Sequence, residues 1–127
     1  MQTLTTTGET RITVEQHGDG QPLILLHGGM APRQYWNPVI PHFNEHASIV
    51  PQRPGFGTCL DDPAETSAGD VLNRETEYVR TLVDAVDGEP ILFGHSYGAL
   101  TAIEAATDAS VEAVIAYEPA VLPDEYR

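Results

Sequence analysis

A serine is useful as a nucleophile only where its hydroxyl stands clear of the backbone and within reach of a base, and one pentapeptide of this chain meets that requirement. Gly94, His95, Ser96, Tyr97 and Gly98 follow the apolar residues Ile91, Leu92 and Phe93. They open a stretch in which Ala99, Leu100, Ala102, Ile103 and Ala106 recur at helical spacing. A serine at the hinge between a buried strand and a helix is forced into a sharp turn that lifts its hydroxyl above the sheet edge. Gly94 and Gly98 flank it because strand, turn and helix come within backbone contact there and leave no room for a Cβ. The chemistry open to such a group is attack on a carbonyl carbon, provided that a histidine takes its proton and an acid orients the histidine.

The oxyanion formed by that attack needs backbone N–H donors. Residues 23–26 are continuously apolar and run straight into His27, Gly28, Gly29 and Met30, whose glycines permit a loop that presents N–H groups instead of side chains. A second turn cluster, Gln52, Arg53, Pro54, Gly55, Phe56 and Gly57, follows the strand expected at residues 47–50. Glu118 closes a last apolar segment, residues 111–117, and stands 22 residues beyond Ser96. His42, Glu45 and His46 spell a zinc-protease pattern, H-x-x-E-H. Pro41 and the strand expected near Ala47 leave hardly one helical turn for it, so these histidines read as solvated and no metal site is expected.

Positioning these groups requires alternating strands and helices. Ile12 and Val14 alternate as in a half-exposed strand, Leu4 belongs to a partner strand, and residues 8–10 make the turn between them. Tyr35, Trp36, Val39, Ile40 and Phe43 recur at three and four, which predicts one short helix bent by Pro38 and Pro41. Val71, Leu72, Tyr78, Val79, Leu82, Val83 and Val86 fall on one stripe of a longer helix, with Ser67 or Asp70 as its cap and Gly88 just past its end. Strand and helix alternate after an initial hairpin, so the expected architecture is α/β with a mostly parallel sheet and right-handed crossovers. In such a sheet ligands bind beyond the carboxyl ends of the strands, where residues 27–30, 52–57, 95–98 and Glu118 all fall.

One domain is the ceiling for 127 residues. No basic segment leads into an apolar run at the N-terminus, and no apolar run approaches the roughly 20 residues that span a bilayer. Neither a signal peptide nor membrane insertion is therefore expected. A single cysteine, Cys59, excludes an intrachain disulfide and agrees with a reducing, cytoplasmic location. The net charge of −13, with 19 acidic residues, argues against a nucleic-acid or anionic-membrane partner. That acidity fits a salt-rich cytoplasm and an ordinary acidic protein equally.

Taken in order, the His-Gly-Gly loop at residues 27–29, the Arg-Pro-Gly-Phe-Gly loop at 53–57 and the Gly-His-Ser-Tyr-Gly turn at 94–98 resemble the α/β-hydrolase superfamily. The resemblance covers essentially the whole chain as a single domain, incomplete because it stops after the sixth strand, before the last strands and the lid. It implies Ser96 as nucleophile, and the backbone N–H of Tyr97 with that of Gly29 or Met30 as the oxyanion hole. It also implies His27, Gly28, Gly94, His95, Gly98, Arg53, Gly55 and Gly57 as shaping residues. Gln52 stands where the family commonly has aspartate, and Cys59 where it commonly has serine.

The family's histidine base follows a strand this chain does not reach, so the chain alone is expected to lack its base. Glu118 is a candidate acid, a position some dehalogenases of the superfamily use. The implied activity is hydrolysis of an ester, thioester or similar carbonyl substrate through an acyl-serine, with a small-molecule substrate and no cofactor. A cofactor-free haloperoxidase or perhydrolase, or a non-catalytic binding module, remains open on the same scaffold. Self-association through the exposed edge of the last strand is expected.

Overall fold

The computed structural model describes residues 2–5, 11–28, 33–51 and 68–119. The alternation read around Leu4, Ile12 and Val14 forms an antiparallel hairpin, β1 (Gln2–Thr5) with β2 (Arg11–His17), in which Leu4 faces Ile12. The apolar runs become β3 (Gln21–Leu26), β4 (His46–Pro51), β5 (Ile91–His95) and β6 (Ala113–Tyr117). Together they make one six-stranded sheet in the order β1-β2-β4-β3-β5-β6. β4, β3, β5 and β6 are mutually parallel, and β2 joins β4 antiparallel. The expected mostly parallel α/β sheet is therefore present.

The long stripe forms α1 (Ala68–Ala85), and the stretch after Ser96 forms α2 (Tyr97–Ala106). Both cover one face of the sheet. Val79, Leu82 and Val83 of α1 and Ala102 and Ala105 of α2 bury Val14, Ile24, Leu26, Ile49 and Leu92. Val86, counted on the stripe, lies just past α1 and packs against the same cluster. Asp70, a candidate cap, lies inside the first turn of α1, and Ser67 lies outside the described residues. At the other end Gly88 takes φ +81. Arg80 ties the two helices together, donating to the Glu104 carbonyl at 3.1 Å and pairing with Asp108 at 3.1 Å.

Where one bent helix was expected over residues 32–43, two 3-10 turns occur, Arg33–Trp36 and Ile40–Phe43. The bonds there close three residues apart, Val39 N–H to the Trp36 carbonyl and His42 N–H to the Val39 carbonyl, both at 2.9 Å. Pro38 and Pro41 supply no N–H and so interrupt any four-residue ladder, with Pro41 held in the first turn of the second segment. The turns still cover the opposite face, where Trp36 packs with Leu23, Leu25 and Val50, and Val39, Ile40, Phe43, Ile91 and Phe93 pack against that group partly buried. Among the described residues no helix is long and apolar enough to cross a membrane.

Candidate active site

Four parallel strands place their carboxyl ends on one edge, and the pentapeptide lies there: β5 runs through Gly94 and His95, and α2 begins at Tyr97. Ser96 is left alone between them at φ 57 and ψ −116, a conformation that L-residues seldom adopt and that costs on the order of 1–3 kcal/mol. Strain of that size persists only where the surroundings over-determine it, and here both peptide groups of the serine are anchored. Its N–H donates to the Tyr117 carbonyl at the end of β6 at 2.9 Å, and its carbonyl accepts from Ala99 and Leu100 at 3.0 and 3.2 Å.

The flanking glycines are required by contact. A Cβ on Gly94 would overlap the backbone of Gly98, and one on Gly98 would overlap the carbonyls of Leu26 and His27. The elbow is thus wedged against β3, which brings the two loops together: the Cβ site of Gly28 lies 3.5 Å from the Ser96 Cβ. His27 is fully buried, and its Nδ1 is 2.8 Å from the Gly28 carbonyl. A carbonyl oxygen only accepts, so Nδ1 carries the proton and the ring holds the Gly28 peptide in place. Gly29, Met30, Arg53, Gly55 and Gly57, with Gln52 and Cys59, lie outside the described residues.

None of the five histidines reaches the serine hydroxyl by a hydrogen bond. His17 ends β2 and lies beside Ser48 near the start of β4, at the opposite edge of the sheet, where it faces Glu15 at 3.7 Å. His42 lies within the second 3-10 turn and His46 begins β4, so the H-x-x-E-H residues never share a helical face. His95 lies flat between two rings, stacked on Tyr35 at 5.2 Å and 6° and tilted 36° from Tyr117 at 5.2 Å.

Glu118 is on the carboxyl edge of the parallel strands, directly after β6, and it also has a positive φ of 48. Hydrogen bonding to its carboxylate, and then the carboxylate's charge, raise the pKa of the Tyr117 phenol above the usual 10.0. Tyr35, Trp36, Val39, Phe93, His95 and Tyr117 enclose an aromatic cavity of about 410 Å3 beside β5. From the sequence Tyr35 is only one position of an apolar stripe and Tyr117 only the end of a strand, with no ligand-facing role for either. Parallel pairing of residues 91–95 with 113–117 was the available signal, because it sets Tyr117 opposite His95. Among the described residues no group of three or more His, Cys, Asp or Glu side chains is gathered to hold a metal ion.

A strand, a strained serine and a helix at the carboxyl edge of a parallel sheet define a serine-elbow α/β fold. Residues 23–127 match the alpha/beta hydrolase family, and the chain belongs to it. The chain is 31% identical over 86 residues to the (E)-2-((N-methylformamido)methylene)succinate hydrolase of Acinetobacter baylyi, covering 67% of this chain and 32% of that protein. Over 47 residues it is 40% identical to the pimeloyl-[acyl-carrier protein] methyl ester esterase of Legionella pneumophila, covering 36% of this chain and 20% of the esterase. In three dimensions it resembles a serine hydrolase involved in carbazole degradation, with a TM-score of 0.79, 26% identity, and coverage of 99% of this chain and 50% of that one. An alpha/beta hydrolase from Sphaerobacter thermophilus superposes with a TM-score of 0.75 at 28% identity, covering 97% and 47%. The chain thus spans a third or less of these two curated relatives and half or less of these two solved structures.

Proposed function

We propose that this chain carries the nucleophile of a hydrolase acting on an ester, thioester or similar carbonyl compound, with Ser96 as the attacking residue. Ser96 Oγ would bond to the carbonyl carbon while its proton passes to a base, and the oxyanion would be received by the N–H of Tyr97 and by the loop that begins at Gly28. Collapse of the tetrahedral species expels the alcohol or thiol with a proton and leaves an acyl-Ser96, which water then hydrolyses to the acid. Ester chemistry is favoured by the methyl ester esterases among the relatives. The observation that carries the reading is the backbone of Ser96, φ 57 and ψ −116, wedged between β5 and α2.

No imidazole bonds to that hydroxyl, so the base is proposed to come from polypeptide beyond these 127 residues. Loss of a triad member costs on the order of 10⁴ to 10⁶ in rate. The 127-residue chain is therefore expected to hydrolyse a nitrophenyl ester only at a residual rate, indifferent to Ser96→Ala. A longer chain, made by reading the gene on through its next aspartate and histidine codons, is expected to turn over the ester and to lose that activity on Ser96→Ala. Activity of the longer chain that survives Ser96→Ala would overturn the nucleophile assignment. Serine-dependent turnover by the short chain would overturn the missing base alone.

A further inference from the structure

Ser96 and Glu118 are the two non-glycine residues with positive φ among the described residues, and one hydrogen bond separates them. β5 and β6 pair in parallel through His95 and Tyr117, and the ladder continues one step past the strands with the Ser96 N–H donating to the Tyr117 carbonyl. That carbonyl belongs to the peptide group shared with Glu118, so the torsion of Glu118 decides where β6 leaves the sheet after making its last bond. The torsion is costly twice over. A left-handed φ is disfavoured for any residue with a Cβ, and Pro119 biases the residue before it toward extended backbone.

Glu118 is exposed, and its carboxylate raises the pKa of the adjacent Tyr117 phenol, itself exposed and tilted 36° against His95. We propose that Glu118 is a positioning residue for Ser96, acting through its left-handed backbone, which turns β6 away after the Tyr117 carbonyl has secured the serine's amide. The assignment rests on Ser96 being the nucleophile. It gives Glu118 a role different from that of an acid orienting a histidine, since the carboxylate itself is dispensable in it.

The test is residue-resolved amide hydrogen exchange on the 127-residue chain, comparing Ser96 with Leu92, the fully buried second residue of β5, as the control for general opening. Glu118→Gln keeps the Cβ and removes the charge, and the Ser96 amide should exchange within about twofold of the parent. Glu118→Asn and Glu118→Gly tolerate positive φ and should protect Ser96 at least as well as the parent. Glu118→Val opposes the left-handed region most strongly and should speed exchange at Ser96 roughly tenfold with Leu92 unchanged.

Deprotection of Ser96 by Glu118→Gln or Glu118→Gly would overturn the proposal, as would an unchanged Ser96 amide in Glu118→Val. If the valine variant does not fold, the glutamine and glycine variants still decide. A hydrolytic readout in the longer chain separates this failure from failure of the nucleophile reading. Glu118→Asn should retain kcat if the backbone matters and lose it if the carboxylate is the acid, whereas Ser96→Ala tests the serine alone.

Discussion

The two faces of the sheet are closed by different means. On one, α1 and α2 lay the buried side chains of Val79, Leu82, Val83, Ala102 and Ala105 over Val14, Ile24, Leu26, Ile49 and Leu92 of β2, β3, β4 and β5. On the other, two 3-10 turns cover β3 and β4 through Trp36, while Phe93 and Ile91 of β5 remain partly open, Ile115 of β6 is 44% exposed and Tyr117 is 54% exposed. The strands themselves do not account for this, since Leu23 and Leu25 are as deeply buried as Ile24 and Leu26. Coverage depends on which connection can extend along the sheet, and a proline-broken segment cannot reach as far as a helix of eighteen residues.

The contrast can be broken by truncating one apolar side chain on each face. Leu82→Ala, under α1, is expected to destabilise the chain by about 2–5 kcal/mol, and Phe93→Ala, although a larger truncation, by only about 1–2 kcal/mol, because its site already has room and solvent. Urea unfolding of both variants measures this, and equal losses would mean that the second face is as well packed as the first. A smaller effect is expected at the open rim. β6 carries neither charge nor proline along Ala113–Tyr117, and no strand pairs its outer edge among the described residues. Ile115→Lys should lower the average mass seen by light scattering with a change in stability within about 0.5 kcal/mol; a parent chain that is already monomeric would count against association through this edge.

The smallest expected effect is a titration at the same rim. The Glu118 carboxylate raises the Tyr117 phenol above 10.0, so the folded chain keeps that proton at a pH where the unfolded chain begins to lose it. The contribution is present below pH 10 and is lost as pH rises through the raised value. Ultraviolet titration of the parent minus that of Tyr117→Phe isolates the group, and Glu118→Gln should move its midpoint back toward 10.0. An unmoved midpoint would mean that the carboxylate does not engage the phenol.

Much of this arrangement was legible in the sequence because it rests on periodicity and on glycine. The stripe through Val79, Leu82 and Val83 could only be a helix with one buried face, and Gly94 and Gly98 marked contacts that a Cβ would prevent. The segment around Pro38 and Pro41 misled because its apolar spacing suits a helix while its backbone lacks the donors, and the missing donors prevailed. Glu118 could be placed on the correct edge from strand order alone. Its left-handed torsion could not be anticipated, since nothing in Tyr-Glu-Pro calls for positive φ and the demand comes from β5 across the sheet. For the same reason the aromatic cavity was invisible: it joins Tyr35, Phe93 and Tyr117, which meet only after three strands have paired.

The direction in which the connections travel has a consequence for the order of assembly. The 3-10 turns lie on the step from β3 outward to β4, and α1 and α2 lie on the steps back through β5 to β6, on the other side of the sheet. A right-handed crossover that kept adding parallel strands beyond β6 would therefore deposit each new helix on the side already roofed by α1 and α2. Growth from the amino end thus seals one side as the chain emerges. Among the described residues the side bearing Phe93, Ile115 and Tyr117 receives no helix, and only a segment that recrosses the sheet, or a neighbour, would cover the rings exposed there.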